Sequence, residues 1–348
     1  MGHRTDRSRH RKHTHPSEQA RNSMEQLSPE DVAFSGTSER ATRPPDGSLR
    51  KGTVASLVRR CQEPMPTSSL MKRRIVDYFN QCRVAYRIVW RTHQLSTMHV
   101  GFYDSEHKTH RDALYNMNRV LAKVSRINSN DRVLDAGCGY GGSCLWLAKN
   151  TGAQVTGIDV VPTHIVEARE LLETEGFEAT TRFVVGDFAD TGLPAESFDV
   201  VWGIEACCHT DDKRGFLLES RRLLKQEGRL VIADGFLARP FRSVSEQVAM
   251  AKWLKGWVVP NLAAMEVFEG WLDALGFHNI RVFDVTANVV PSSRRVFVAS
   301  LWGIPVEMIL ELSHITTRVQ TNNILSAFFQ HVALRRGLWR YCIFYAEK

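Results

Sequence analysis

The stretch that decides the fold is VLDAGCGYGGS, residues 133–143. With Arg132, its start forms a short apolar run that is typical of a buried parallel strand. Gly137 and Gly139 follow where this strand turns into a helix predicted from Ser143, and without a Cβ they let the backbone approach a ligand closely. A glycine pattern is weak evidence by itself, but between a strand and a helix it predicts a nucleotide-like ligand.

An acidic residue before the glycines narrows the choice of ligand. Asp135 would repel the pyrophosphate of a dinucleotide, but it can orient the ammonium group and the ligand shell of S-adenosylmethionine (SAM). Gly142 completes the GxGxxG spacing, so the glycines alone permit an NAD oxidoreductase. Asp135 therefore favours SAM over NAD.

Two more acidic residues stand at the ends of the next two predicted strands. Asp159 can accept hydrogen bonds from both ribose hydroxyls. Asp187 can receive the adenine amino group, and Phe188 can stack on the ring. Each acid alone is typical of a helix cap or a turn, but ligands of doubly wound sheets bind at the carboxyl ends of strands. Three acids at successive strand ends therefore strengthen the prediction of a SAM site.

The rest of the chain alternates strands and helices. Strands are predicted at 132–134, 153–158, 181–185, 198–202 and 229–233, with helices at 143–149, 165–175 and 213–224. Gly228 is expected to close the last of these helices. Further helical stretches are predicted at 73–89, 113–124, 243–275 and 305–334, and further strands at 280–285 and 341–345. This order predicts a doubly wound, Rossmann-like α/β fold with a parallel sheet.

Composition divides the chain into four segments. Residues 1–70 hold 12 Lys and Arg against 8 Asp and Glu and few aromatics, which predicts a disordered basic tail or a start at Met24 or Met71. The acidic residues argue against a transit peptide. Residues 71–130 are predicted to form a helical cap, 131–236 the SAM-binding core, and 237–348 helical lid segments with the final strands.

Bulk properties restrict the setting of the protein. No run reaches the roughly eighteen apolar residues that a membrane span requires. The cysteines are odd in number and form no CxxC pair, which favours a reducing cytoplasm. Outside the tail the net charge is only +3, from 33 Lys and Arg against 30 Asp and Glu, so no nucleic-acid partner is predicted. Self-association is left open.

Residues 131–236 resemble the class I SAM-dependent methyltransferases. Three features are similar to the group that holds the tocopherol, sterol and prenyl diphosphate methyltransferases: MHVGFY at 98–103, WGIEACCH at 202–209, and the segment 253–260. The resemblance implies a seven-stranded sheet whose last strand is antiparallel. It also implies that helices outside the core form the substrate chamber.

The resemblance assigns the cofactor site residue by residue. Asp135, Gly137 and Gly139 match the SAM motif, Asp159 the ribose acid and Asp187 the adenine contact, while Tyr103 would close over the methionine end of SAM. Several relatives lack the acid that stands here at Asp159, so this position does not define the subgroup. The complete predicted cofactor set is Asp135, Gly137, Cys138, Gly139, Asp159, Val160, Asp187, Phe188 and Tyr103.

The reaction needs a group that removes a proton, since the methyl group of SAM is already activated. Glu205 and His209 follow the fourth strand and are the predicted general-base candidates. Two structural alternatives stand beside these roles. Glu205 can simply hydrogen-bond the backbone or SAM, and His209 can neighbour the N-cap of the helix that follows Thr210. The nearby cysteines and acids fit no common zinc spacing, so no metal is predicted.

Aromatic residues predict the substrate class. Trp202, Trp253 and Trp257 are assigned to the wall of a chamber for an isoprenoid chain, with ordinary core packing as the alternative and as the preferred interpretation of Trp271. The sequence thus predicts methyl transfer to carbon or oxygen of a small, apolar, isoprenoid-like molecule. The alternatives are another small metabolite, such as a polyketide or an amine, and a SAM-binding partner protein without catalysis. The sequence shows no target-recognition module of the kind that a nucleic-acid methyltransferase needs, so that class is not favoured.

Overall fold

A seven-stranded sheet organises the part of the chain that the computed structural model describes, residues 69–90 and 92–348. Its order is β3-β2-β1-β4-β5-β7-β6. Strands β1 to β5 pair in parallel, and β7 runs antiparallel to both of its neighbours, which confirms the predicted fold class. The strands are β1 Arg132–Ala136, β2 Gln154–Asp159, β3 Thr181–Val185, β4 Phe198–Ile204, β5 Leu224–Leu237, β6 His278–Asp284 and β7 Trp339–Glu347.

Helices connect these strands and extend beyond them. They are α1 Ser69–Val89, α2 Thr92–Leu95, α3 His110–Val124, α4 Gly142–Thr151, α5 Pro162–Glu175, α6 Lys213–Leu223, α7 Val244–Gly256, α8 Met265–Ala274, α9 Thr286–Leu312 and α10 Arg318–Arg335, with a 3-10 turn at Cys207–His209. Helix α10 packs against α1, α7 and α9. The predictions for residues 1–68 lie outside the described residues.

The core consists of two layers, one on each side of the sheet. Successive residues of a strand point to opposite faces, so Val133 and Trp202 pack in one layer, whereas Leu134 and Val201 pack in the other. A cavity opens at the carboxyl ends of the strands. Trp202 is fully buried within β4 and is not among the residues that line this cavity. The expectation that Trp202 lines the substrate chamber is therefore wrong, because its side chain is completely buried in the core layer on one face of the sheet.

Several predicted element ends need correction. Helix α6 ends at Leu223 and β5 begins at Leu224, so Gly228 does not close the helix; Gly228 lies within β5, where the residue with a left-handed φ is Glu227. The helical stretch 243–275 is two helices. Helix α9 starts at Thr286 and continues through Pro291 and Pro305, whereas the sequence pattern predicts a helix start at the second proline.

Candidate active site

The glycine-rich turn after β1 forms a cradle for a ligand. The N–H groups of Gly137 and Cys138 both donate to the carbonyl of Ile158, at 2.8 and 3.0 Å. Gly137 and Gly139 have left-handed φ angles of +81° and +53°. A Cβ at Gly137 would overlap the Ala206 side chain, which leaves room only for glycine. Gly137, Cys138 and Gly139 all line one cavity at the carboxyl ends of the strands.

The cradle gives a first testable prediction. Gly137→Ala combines an unfavourable φ with a steric overlap, so we expect it to abolish SAM binding. We also expect the overlap to lower the free energy of unfolding by about 1–3 kcal/mol beyond the cost of the unfavourable φ. Gly176→Ala is the matched control, because Gly176 has φ +72° and no atom lies within 4 Å of the point where its Cβ would stand. Urea unfolding and SAM titration of both variants test this. Equal stability and affinity in the two variants would contradict the cradle.

Asp135 lies buried at the floor of the cavity. Its Oδ2 accepts a hydrogen bond from the Cys144 thiol at 3.1 Å. Burial raises the pKa of Asp135 to about 7, the Cys144 hydrogen bond opposes this rise, and the charge of Asp159 adds to it. In the described part of the chain, no Lys, Arg or His forms an ion pair with Asp135. A cationic ligand would therefore be stabilised here.

The other two acids also line the cavity, and both already have partners. Asp159 accepts hydrogen bonds from the N–H groups of Gly139 and Val161, at 2.9 and 2.8 Å. Asp187 accepts from the N–H of Ala189 and forms an ion pair with Lys72 of α1 at 2.6 Å. These contacts fix both carboxylates at the cavity wall. The ribose and adenine roles remain predictions, and an adenine amino group would share Asp187 with Lys72.

Val160 and Phe188 complete the predicted cofactor side. Both line the cavity beside the acids that precede them. The ring of Phe188 lies edge-on to Phe216, with the ring centroids 5.1 Å apart. This contact holds the ring in place at the cavity wall, which suits a stacking role.

Glu205 directly follows β4 and is held in a strained backbone conformation. Its φ is +52°, a left-handed value that is uncommon for a residue with a side chain. Its N–H extends the β4–β5 pairing by donating to Ala233, and its Oε1 accepts from the N–H of Val100 at 2.7 Å and from the hydroxyl of Tyr341 at 3.0 Å. Burial raises the pKa of Glu205 to about 8, against the effect of these two hydrogen bonds.

Tyr341 is a positioning residue for Glu205, and this gives a second prediction. Its hydroxyl donates to Glu205 and so favours the carboxylate form. We expect Tyr341→Phe to shift the acid limb of the pH–rate profile upward by about 0.5–1 unit and to leave the alkaline plateau within about threefold of wild type. A uniform loss of rate at every pH would indicate only a structural role.

His209 is a weaker candidate for the base. Its Nδ1 lies 3.3 Å from the carbonyl of Val258, and since a carbonyl only accepts, Nδ1 carries the proton and Nε2 is free to accept. Burial lowers the pKa of His209 to about 4. The ring also stacks edge-on to Phe79 of α1 at 5.7 Å. His209 therefore suits the orientation of a substrate better than proton removal.

Aromatic side chains line the other end of the cavity. Trp253 packs against Trp257 and Trp339, with ring centroids 6.3 and 4.9 Å away. The Trp257 indole donates to the carbonyl of Asn323, so α7 is fixed against α10 at this wall. Further lining residues here are Phe79, Tyr86, Trp90, Val259, Leu262, Val296 and Trp339.

Tyr103 does not join the cavity. Its N–H donates to the carbonyl of Asn288, and its own carbonyl accepts from the Asn288 side chain. These bonds tie Tyr103 to the start of α9 rather than to the glycine turn. The prediction that Tyr103 closes over the methionine end of SAM is thus not supported by this structure. His99 and Val100 of the same motif line the cavity instead.

Sequence reasoning missed several cavity residues. Asp234 directly follows the predicted strand 229–233, so the strand-end rule that selected Asp159 would also have found it. Its carboxylate accepts from the N–H groups of Cys208 and Gly235, at 2.8 and 2.7 Å. Tyr341 and the cavity residues of α1, such as Phe79 and Tyr86, could not be found from the sequence, because only the tertiary structure brings them to the cavity.

The comparisons with known proteins agree with this geometry. A family described as "Methyltransferase domain" matches residues 134–232. The chain carries a methyltransferase domain. The cavity lies at the carboxyl ends of the strands of this domain. The predicted resemblance to the class I SAM-dependent methyltransferases is confirmed. The family description supports SAM as the methyl donor of such a domain.

Two curated proteins are similar to parts of this chain. The 2-methyl-6-phytyl-1,4-hydroquinone methyltransferase of Synechocystis sp. is 40% identical over 148 residues, which cover 41% of this chain and 45% of that protein. The chloroplastic tocopherol O-methyltransferase of Arabidopsis thaliana is 25% identical over 246 residues, 65% of this chain and 68% of that protein. The chain thus spans less than half of the length of the first of these relatives.

A solved structure shares the fold. The geranyl diphosphate C-methyltransferase of Streptomyces coelicolor A3(2) aligns with a TM-score of 0.60 at 19% identity, covering 82% of this chain and 99% of that one. At this identity the likeness shows the fold alone.

Within residues 69–90 and 92–348, no cluster of His, Cys, Asp and Glu could hold a metal ion, and no helix could cross a membrane.

Proposed function

We propose that this protein transfers a methyl group from SAM to carbon or oxygen of a small, apolar, isoprenoid-like molecule, with Glu205 as the base. One observation carries the proposal: the Glu205 carboxyl lies in a single cavity between the glycine cradle and an aromatic chamber. The relatives support the substrate class, since two of them are named for phytyl hydroquinone and tocopherol.

The residues present fit SAM. Gly137 and Gly139 leave a cradle that a Cβ would fill, and the buried carboxyl of Asp135 has no cationic partner among the described residues. A ligand with a sulfonium and an ammonium group would stabilise that carboxylate. When bound, SAM supplies a methyl group already activated by its sulfonium.

The chain's own residues then position the acceptor and dispose of a proton. The walls formed by Trp253 and Trp339 exclude water and hold an apolar acceptor by burial of its surface. Glu205 takes the proton that the acceptor loses. For an alkene the proton leaves after methyl transfer, whereas for a phenol it leaves during transfer, and the same carboxylate serves both cases.

A panel of acceptors tests the substrate class. The full chain is incubated with SAM carrying a labelled methyl group and with prenyl diphosphates, prenylated quinols or sterols, and the label is extracted into organic solvent. We expect turnover with at least one isoprenoid acceptor. Turnover only with polyketide or amine acceptors would select the alternative metabolite classes, and no turnover on any acceptor despite SAM binding would favour a non-catalytic SAM-binding protein.

Trp253 gives a third prediction, on the chamber. Trp253→Leu removes aromatic surface at the substrate wall, so we expect the KM for the apolar acceptor to rise about tenfold while the Kd for SAM stays within about twofold. Trp271→Leu is the matched control, because Trp271 packs against the other core layer, on Phe268. An equal effect of both substitutions on KM would contradict the placement of the chamber.

A further inference from the structure

Between Arg295 and Arg318, helix α9 and the turn after it expose apolar side chains and turn acidic side chains towards the protein. Its outward positions carry large apolar side chains that are between 47 and 80% exposed: Leu301, Trp302, Val306, Ile309 and Leu312, with Ile315 just beyond the helix. We refer to these six residues as the outer face of α9. A monomeric water-soluble protein rarely exposes so many large apolar side chains together.

The polar residues of the same helix point inward. Glu307 is buried, and Glu311 accepts hydrogen bonds from Thr321 and Arg318 of α10. Between Arg295 and Arg318, Glu307 and Glu311 are the only charged side chains in the sequence apart from His314. The helix thus turns both carboxylates towards the protein and leaves its apolar side exposed within the described residues.

Helix α1 also exposes apolar side chains. Arg295 of α9 donates to the carbonyl of Val89 at 2.5 Å, and Thr317, the N-cap of α10, donates to Gln81 at 2.9 Å, so α1 is joined to α9 at one point and to the start of α10 at another. Between these two contacts α1 exposes Val84 and Ile88, at 62 and 70%. Exposed apolar side chains therefore occur on α1 as well as on α9.

The charge of the surrounding helices identifies the occupant. Helices α1, α9 and α10, counted with Asp187 and Glu167 that form ion pairs with α1, carry nine Lys and Arg against five Asp and Glu, although residues 71–348 as a whole have a net charge of only +3. The rest of that region is therefore net negative. An apolar helix face with an exposed tryptophan and a cationic surround matches an anionic bilayer surface.

We propose that the outer face of α9 docks the protein onto an anionic phospholipid membrane. The charges disfavour the other occupants: a second copy would oppose two cationic surfaces, and residues 1–68 carry twelve Lys and Arg against eight Asp and Glu. Helix α9 also lines the substrate end of the cavity through Ser293 and Val296. Docking would bring that end towards lipid, a consequence that rests on the proposed function, whereas the docking itself does not.

Vesicle flotation of the full chain tests the docking. We expect binding to phosphatidylcholine vesicles that contain phosphatidylglycerol, weaker binding to phosphatidylcholine alone, and a loss of binding at high salt. The double substitution W302E/I309E should lower the bound fraction more than about tenfold. The control V166E/L218E adds the same charge at exposed apolar positions of α5 and α6, 54 and 58% exposed, and should bind like wild type.

A second measurement keeps the test independent of folding defects. In the variant Ile309→Cys, a water-soluble maleimide should label the new thiol rapidly, and anionic vesicles should protect it. Protection without vesicles would mean that residues 1–68 or a second copy cover this face, and light scattering would identify a dimer; either result overturns the proposal. No binding of wild type to anionic vesicles also overturns it. Since SAM and acceptor are absent from these assays, the methyl-transfer proposal is unaffected by their failure.

Discussion

Glu205→Gln is expected to lower kcat by about 10²- to 10⁴-fold while the Kd for SAM stays within about threefold. Glutamine keeps the size of the side chain and an acceptor for the N–H of Val100 and the hydroxyl of Tyr341, so the site should stay intact. What the variant loses is the capacity to take a proton. Steady-state kinetics with the best acceptor, together with SAM titration, measure both quantities.

The pH dependence of wild type follows from the same group. Burial raises the pKa of Glu205 from its ordinary value of 4.5 to about 8, and a base acts only when deprotonated. The rate at saturating SAM should therefore rise with pH and reach half of its maximum at or below pH 8, because a bound cation favours the carboxylate. A pH-independent rate, or a Glu205→Gln variant with wild-type kcat, would contradict the role of Glu205.

Glu205 should also affect folding stability. Because the folded state holds this proton more tightly than the unfolded state, the stabilising effect is fully present below pH 4.5 and is lost as the pH rises towards 8. Glu205→Gln should remove this part of the pH dependence and raise the stability above pH 7. Such a gain in stability with a loss of activity is typical of a residue retained for function.

Asp135→Asn is expected to weaken SAM binding by about 2–4 kcal/mol, which is roughly 30- to 1000-fold. The substitution keeps the shape of the buried side chain and removes the negative charge opposite the cationic ligand. Since the pKa of Asp135 is raised to about 7, SAM affinity of wild type should increase as the pH rises past neutrality. The variant should lack this pH dependence.

A matched control separates this effect from a general loss of charge. Asp199 lies near the start of β4, where it accepts from the N–H of Arg132 and pairs with Lys225 at 2.8 Å. Asp199→Asn should lose some stability and leave SAM affinity within about twofold. Calorimetry on both variants is decisive: equal affinities for SAM would contradict the assignment of Asp135.

Much of the fold follows from local sequence patterns. The β1 turn was predictable because a buried run, two glycines and a helix stand in direct succession, and the strand at 181–185 matches β3 residue for residue. Helix α9 is predicted too short because prolines are typical of helix starts, although packing against α10 keeps the helix continuous through Pro305. Local propensity yields to tertiary packing there.

The site was predictable in part for the same reason. Asp135, Asp159, Asp187 and Glu205 each lie within two residues of the carboxyl end of a parallel strand, and the rule for parallel sheets predicts that they line one cavity, as they do. Tyr341 reaches Glu205 only because β7 pairs antiparallel with β5, an arrangement that depends on distant segments of the chain. Pairing between remote elements leaves no periodic signal in a single sequence, so such partners need the structure.

Calorimetric titration of the full chain tests most directly whether the cavity of this methyltransferase domain is a SAM site. S-adenosylhomocysteine and SAM should bind at one site per chain, and NADH should give no heat of binding. Binding of S-adenosylhomocysteine should be lost in Gly137→Ala and retained in Gly176→Ala. Binding of NADH at this site, or no binding of either methionine-derived ligand to wild type, would contradict the assignment of the cavity to SAM.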